Sequence, residues 1–227
     1  MQAFFEKRTL TVFWLVLLLH CVFQYLQLPY VAVTKPMLTP LLFLHLLLHD
    51  NNIGYPKGKF IYYVGLILAF FGDVMLILIN DTFFLSGMIA FMLMNLLYSF
   101  SFLQMNRLSK SSILPLTITV AFLVFIANAF YRFLGNEMGR YKVPVLVYML
   151  TLAVMIAFAV NVAGNIRYKR AAINYLIPGV LVFLVENVLV AANKFHYDRD
   201  KDIFVIVMLT YGLAQYLIVK GMQKIYL

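Results

Sequence analysis

The stretch FIYYVGLILAFFGDVMLILIN, residues 60–80, contains a single charged side chain, Asp73, in a long run that is otherwise almost entirely apolar. A helix needs about 20 such residues to cross the hydrocarbon core of a bilayer. The stretch therefore predicts a membrane-spanning helix, and it also raises a question, because a buried carboxylate is costly in that environment.

The composition of the whole chain extends this prediction. The 227 residues are 64% hydrophobic and only 12% charged, whereas a soluble domain is nearer half apolar and a quarter charged. Mean hydropathy is +0.90. We expect a single integral membrane domain over residues 1–227, with the bilayer as its surroundings. The net charge of +9 does not indicate nucleic-acid binding, because the basic residues are scattered through short connections.

Hydrophobic runs of spanning length recur along the chain and predict an all-α polytopic membrane helix bundle with eight transmembrane helices. Pro36 and Pro40 interrupt the start of the second run, and Pro178 predicts a kink in the seventh. The predicted spans lie near residues 10–28, 33–48, 60–79, 83–103, 113–133, 143–163, 171–192 and 203–222.

Positive charge is distributed unevenly between the two ends of this predicted bundle. Cytoplasmic connections are usually richer in Lys and Arg, so the bias predicts that both termini are cytoplasmic. The end with the termini carries eleven basic residues: Lys7, Arg8, Lys57, Lys59, Arg107, Lys110, Arg167, Lys169, Arg170, Lys220 and Lys224. The other end carries seven: Lys35, Arg132, Arg140, Lys142, Lys194, Arg199 and Lys201.

A weak internal repeat accompanies the even number of spans. GDVML begins at Gly72 in the third span, and ENVLV begins at Glu186 in the seventh, about half the chain further on. The two helices would run in the same direction, which suggests a duplicated four-helix unit.

Asp73 and Glu186 are the acids that fall inside predicted spans. Each precedes an asparagine, Asn80 or Asn193, by seven residues. At ~1.5 Å per residue, both carboxyls would lie about 10 Å below the same membrane surface and could share a pocket. Such residues usually carry function, although a structural hydrogen bond between helices is the alternative. Two close carboxyls suit general acid catalysis, with Asp73 the favoured proton donor, but equally a proton-coupled carrier.

Further polar side chains are candidates for a wet cavity that binds substrate or orients water, and interhelical hydrogen bonding is the alternative for each of them. Lys35, at the mouth of the second span, is predicted either to meet a phosphate or to extend to the interface. The remaining candidates are Asn95, Tyr98, Asn128, Tyr148, Asn187, Tyr211 and Gln215.

We expect no metal and no organic cofactor. His45 and His49 have the i, i+4 spacing of metal ligands, but no HExxH pattern and no third ligand inside a span accompanies them. The sequence also has no G-x-S-x-G motif, so a serine lipase is not expected.

Six segments, in this order along the chain, resemble the YhhN-like lysoplasmalogenase family. They are KPMLTPLL at 35–42, FFGDVMLI at 70–77, FLSGMIAFMLMNLLYSF at 84–100, VPVLVY at 143–148, FLVENVLVAANKF at 183–195 and TYGLAQYLIVKG at 210–221. The Gly-Asp pair of the family matches Gly72 and Asp73. Glu186 and Asn187 stand where the family has serine and aspartate, and Asn95 stands where it usually has histidine.

The resemblance implies an eight-span membrane hydrolase that cleaves the vinyl ether bond of lysoplasmalogens and releases a fatty aldehyde. The implied partner is a lysophospholipid or another amphiphilic lipid, with Asp73 and Glu186 as catalytic candidates and no cofactor. A lipid- or small-molecule-binding membrane protein without enzymatic activity, or a proton-coupled carrier, is the alternative function. The oligomeric state is left open.

Overall fold

The computed structural model describes residues 2–48, 57–78 and 80–226, and in these ranges the secondary structure is helical without a strand. Eight helices are long and apolar enough to cross a membrane, so the predicted all-α class and the number of spans are confirmed. The helices are α1 Gln2–Tyr25, α2 Val31–Leu48, α3 Lys57–Ile77, α4 Asp81–Met105, α5 Ile113–Leu134, α6 Lys142–Val162, α7 Lys169–Phe195 and α8 Lys201–Tyr226.

The helix ends differ from the predicted spans by eight residues at the start of α1 and by up to four elsewhere, and two differences have a clear cause. The first helix ends at Tyr25 rather than near residue 28, because Gln27 adopts a left-handed backbone (φ 55°) that no α-helix continues. The fourth begins at Asp81, since the Asn80 side chain caps it by accepting a hydrogen bond from the Thr82 N–H. Ile79, where the third span was predicted to end, lies outside the described residues.

Connections alternate between the two ends of the bundle. α1, α3, α5 and α7 all finish at the end where α2, α4, α6 and α8 begin. Asp73 and Glu186 both lie in the last turns of their helices and therefore approach this same end. The eight helices make the fold an all-α bundle, while the suggested four-helix duplication stays a prediction.

α3 and α4 pack closely through glycine. A Cβ added at Gly72 would lie 2.7 Å from Phe91 Cε2, and one at Gly87 would lie 2.9 Å from the Leu76 side chain. Small residues of this kind let helix backbones approach in membranes. Gly72 therefore lets the α3 backbone approach α4 at the position next to Asp73.

Gly72→Ala is expected to destabilise the protein by about 1–3 kcal/mol, because the methyl group overlaps the Phe91 ring. The thermal unfolding midpoint in detergent should fall by several degrees. Phe91→Leu removes the overlapping ring atoms, so the double variant should recover part of the loss in a double-mutant cycle. Equal midpoints for wild type and Gly72→Ala would contradict the close approach.

α7 contains a π-helical turn, Ala172–Leu176, just before Pro178. Pro178 has no N–H to donate, and the chain accommodates it by widening the turn, so that the Ile177 N–H bonds to the Ala172 carbonyl. Near Pro178, where the sequence predicts a kink, the structure has this π-helical turn. One extra residue in a turn rotates the rest of α7 by about 100°, which helps to decide the direction in which Glu186 points.

Candidate active site

A large cavity of about 490 Å³ opens between the helix ends where α1, α3 and α7 finish and α2, α4 and α8 begin. Its volume lies within the range of small-molecule sites. Asp73 and Glu186 both line it, and so do Lys35 and Tyr211. The structure thus brings the two acids from α3 and α7 to the wall of one cavity.

Asp73 is buried and held by two hydroxyl groups. The Thr39 Oγ1–H donates to Asp73 Oδ2 over 2.8 Å, and the Tyr211 O–H donates to the same oxygen over 2.6 Å. The side chain thus fixes α2 and α8 to α3. A carboxylate oxygen that accepts two hydrogen bonds suits the ionised form, which has no proton to donate.

Glu186 has a different environment. Its side chain is buried, and Oε2 has no hydrogen-bond partner among the described residues. A buried polar atom without a partner is rare and costly unless a water molecule, an ion or a ligand pairs with it. Lys35 acts electrostatically on both Glu186 and Asp73, so one cation lies near the two carboxyls.

A smaller apolar chamber of about 90 Å³ adjoins the large cavity. α5 and α6 supply one wall of the chamber, including Phe130 and Leu152. Glu186 and Tyr211 line both spaces. These two side chains therefore lie at the boundary between a polar volume and an apolar one, an arrangement that suits an amphiphile.

His20, from α1, also lines the large cavity and is buried. Thr34 donates its hydroxyl hydrogen to the Tyr30 carbonyl, so Thr34 Oγ1 accepts from His20 Nδ1 at 2.8 Å. In a neutral imidazole, Nε2 is then the acceptor. His20 Nε2 has no partner among the described residues. This nitrogen, on a residue that lines the cavity, can therefore accept a proton or a hydrogen bond.

The other sequence candidates occupy three different environments. Tyr148 and Asn187 line the apolar chamber and bond to each other, with the Tyr148 O–H donating to Asn187 Oδ1 over 2.5 Å. Asn95, Tyr98 and Gln215 are buried among helices and line neither cavity: the Asn95 amide reaches Thr151, and the Tyr98 ring stacks on Tyr62 with centroids 4.6 Å apart.

Asn128 lies apart from both spaces. It is exposed on α5 and lines neither space. Only three residues of α5 are buried, so most of this helix faces outward, and a polar residue in its middle says little about an interior cavity.

Several residues that line the cavity or bond to its acids are not among the sequence candidates. A histidine inside an apolar run is unusual, so His20 has a usable signal in the sequence, whereas Thr39 in KPMLTPLL has none. Lys194, Arg199 and Lys201 also line the cavity; at sequence level they indicate only membrane orientation.

Of the two histidines with the spacing of metal ligands, the structure describes His45, which joins helices. His45 is buried at the other end of the bundle, where its ring nitrogens contact Thr9 Oγ1 at 3.1 Å and Gln223 Oε1 at 3.4 Å. It thereby links α1, α2 and α8. His49 lies outside the described residues.

Comparison with known proteins agrees with the motifs. The family model described as the YhhN family matches residues 30–222, which is most of the chain and includes both carboxyls of the cavity. No curated protein and no solved structure matched the chain. His20 lies before the matched range. With eight spanning helices and a match of this length, the protein belongs to the YhhN family of integral multi-pass membrane proteins.

Proposed function

We propose that the protein is a lysoplasmalogenase-type membrane hydrolase that cleaves the vinyl ether bond of a lysoplasmalogen-like lipid. Membership of the YhhN family supports this type of protein. The observation that carries the proposal is the position of Glu186 and Tyr211 on the walls of both the large cavity and the apolar chamber. The polar part of the lipid would occupy the first, and the start of its alkenyl chain the second.

The hydrogen bonds support separate roles for the two acids. Glu186, with its unpartnered Oε2 next to the apolar chamber, would donate a proton to the alkenyl carbon distal to the ether oxygen. This produces an oxocarbenium ion. Asp73, the carboxylate that accepts from Thr39 and Tyr211, would take a proton from the attacking water. This assignment makes Glu186 the donor and differs from the sequence expectation for Asp73.

The remaining steps balance without a cofactor. Water adds to the oxocarbenium carbon and yields a hemiacetal, and its proton passes to a carboxylate. In the collapse of the hemiacetal, the protonated Asp73 gives its proton to the ether oxygen and the Glu186 carboxylate takes the proton of the hemiacetal hydroxyl, so that the carbon–oxygen bond breaks and a fatty aldehyde and a glycerol hydroxyl are released. Each carboxyl group returns to its starting state, as general acid–base catalysis requires.

The chain of the lipid need not be enclosed. The apolar chamber has the volume of about three water molecules in the liquid, which accommodates only the first carbons of the alkenyl chain. α5 forms part of the chamber wall, and most of the surface of α5 faces outward. We propose that the rest of the chain continues past α5 into the bilayer.

The purified protein in nanodiscs should therefore release aldehyde from an alkenyl lysophospholipid. Release is followed with an aldehyde-reactive dye, and the matching alkyl ether, which lacks the vinyl double bond, serves as the control substrate. Folded protein that releases no aldehyde from either compound would reject the hydrolase and favour the lipid-binding alternative. Substrate-dependent proton movement in liposomes would instead favour a carrier.

His20 is proposed to orient the attacking water through Nε2. Replacing it with phenylalanine keeps a planar ring and removes the acceptor, so aldehyde release should fall about tenfold, equivalent to ~1.4 kcal/mol of barrier. The control is His196→Phe, since His196 is exposed and pairs with Glu137. Equal activity of the two variants would contradict the role of His20.

We propose that both termini are cytoplasmic, so that the large cavity opens on the non-cytoplasmic side. In a background where Cys21 is replaced by alanine, Asn136→Cys lies at the cavity end and Lys169→Cys at the other end, and both positions are exposed. A membrane-impermeant maleimide added to intact cells should label the first and spare the second. The reverse pattern would invert the orientation.

A further inference from the structure

We propose that the mouth of the large cavity binds a phosphomonoester head group, so that the preferred lipid is an alkenyl glycerol phosphate with net negative charge. This inference rests on the proposed function of the same cavity. It implies discrimination against the zwitterionic choline and ethanolamine head groups that carry an ammonium.

Four cationic side chains line the cavity against two acids, Asp73 and Glu186. Among the described residues, no carboxylate oxygen lies within 4.0 Å of the charged nitrogens of these four side chains. Their charge is therefore available to an anion that enters from the mouth. The cations are Lys35, Lys194, Arg199 and Lys201.

Aromatic rings, rather than acids, position Lys194. Its Nζ lies 3.9 Å from the centroid of the Phe84 ring, 5.0 Å from that of Tyr141 and 5.8 Å from that of Phe195. An aromatic cage of this kind is also how proteins bind quaternary ammonium ligands. Because the protein's own ammonium fills the cage, a choline head group finds no free cation site there.

The connection between α7 and α8 presents a second cation to the cavity. Asp198 and Arg199 have consecutive positive φ angles, 46° and 63°, in the region that side-chain-bearing residues rarely adopt. The turn is held by Asn193, whose carbonyl accepts from the Arg199 N–H and whose Nδ2 donates to the Asp200 carbonyl. Strained backbone held in this way is typical of functional sites, and here it places Arg199 at the cavity wall.

The other two cations lie at the start of α8 and near the start of α2. Lys201 Nζ lies 4.5 Å from the centroid of the Tyr25 ring at the end of α1. Lys35, half-buried, acts on both cavity carboxyls. Three of the cations thus lie within residues 194–201, at the end of α7, in the α7–α8 turn and at the start of α8, and the fourth lies near the start of α2.

Asp81, an acid at the same end of the bundle, is already paired with other groups. Asp81 acts electrostatically on Lys194 and Arg199, but its carboxylate is bonded to the Arg140 guanidinium and to the Tyr141 hydroxyl. The second negative charge of a phosphomonoester would be attracted by the cations that line the cavity. The ammonium of a choline or ethanolamine head group would be repelled by them. Arg and Lys are also the side chains that bind phosphate best.

The test uses alkyl ether lipids, which lack the vinyl ether and cannot be cleaved. Binding of 1-alkyl-glycerol 3-phosphate and of 1-alkyl-glycero-3-phosphocholine to wild-type protein in nanodiscs is measured by titration calorimetry at low and high salt. We expect the phosphomonoester to bind about tenfold more tightly at low salt. The advantage should shrink as salt screens the mouth.

A matched pair of variants locates the site. Arg199→Gln should reduce the phosphomonoester preference several-fold, and Arg170→Gln, an exposed arginine at the other end of the bundle, should leave it unchanged. Lys35→Gln should weaken binding of both lipids, because both carry a phosphate. Equal affinity for the two lipids, tighter binding of the choline lipid, no binding of either, or equal effects of the two arginine variants would each overturn the inference. Selective binding with no aldehyde release from the alkenyl compounds would support it while rejecting the proposed hydrolase.

Discussion

Replacement of Glu186 by glutamine is expected to lower aldehyde release about 10²–10⁴-fold, the usual contribution of a positioned general acid. Glutamine has nearly the same shape, but its amide has no acidic proton to give to the alkenyl carbon. Glu186 Oε2 has no partner among the described residues, so the substitution breaks no hydrogen bond at that atom. The effect should therefore fall on the reaction and spare the fold.

Two measurements separate catalysis from structure in this variant. Binding of the non-cleavable alkyl lipid should stay within a few-fold of wild type, since the carboxyl is proposed to act on the vinyl ether alone. The control is Glu137→Gln, an exposed acid of the α5–α6 connection that pairs with His196. Full activity in Glu186→Gln, with normal binding, would transfer the role of proton donor to another group.

Much of the fold could be predicted because a bilayer demands long apolar helices. The eight hydrophobic runs each became a spanning helix, and the ends moved by a few residues where local chemistry intervened. Asn80 could have been recognised as a helix cap, whereas the left-handed backbone at Gln27 has no comparable signal. Proline chemistry predicts a disturbance of the helix before Pro178, but it does not predict which residues form the π-helical turn.

The candidate site was predictable in its acids and less so in its surroundings. Asp73 and Glu186 stand out because charge is rare inside spans, and their equal distance from Asn80 and Asn193 placed them at one depth. Side-chain direction is harder, since neighbouring helix positions differ by about 100° and the turn at Ala172–Leu176 adds a rotation to α7.

Neutral polar residues carried the weakest information. Asn128 and Asn95 look alike in the sequence, yet one is exposed on α5 and the other is buried against Thr151. The helix face that each presents depends on which helices pack together, and α5 packs little of its surface. His20 and Thr39 join the cavity only because α1 and α2 fold against α3 and α8, a tertiary fact that local patterns do not encode.

Asp73→Asn is the second substitution with a large expected effect, a loss of aldehyde release of about 10²–10³-fold. The asparagine oxygen can still accept from Thr39 and Tyr211, which now bond to Asp73 Oδ2 at 2.8 and 2.6 Å. The tie between α2, α3 and α8 is therefore kept, while the group that takes the proton from water is lost. Tyr211→Phe removes one of the two donors and should cost less, about tenfold.

The control for Asp73→Asn is Asp198→Asn at the mouth, because asparagine tolerates the left-handed backbone that Asp198 adopts (φ 46°). Both variants remove one negative charge from the same end of the bundle, so a general electrostatic effect would lower their activities alike. Thermal unfolding midpoints should match wild type within a few degrees for both. If Asp73→Asn and Asp198→Asn release aldehyde at equal rates, Asp73 is a structural tie between helices and not a base. If it loses activity together with a large fall in midpoint, the two hydroxyl bonds need the full carboxylate charge, and the loss must be assigned to the fold.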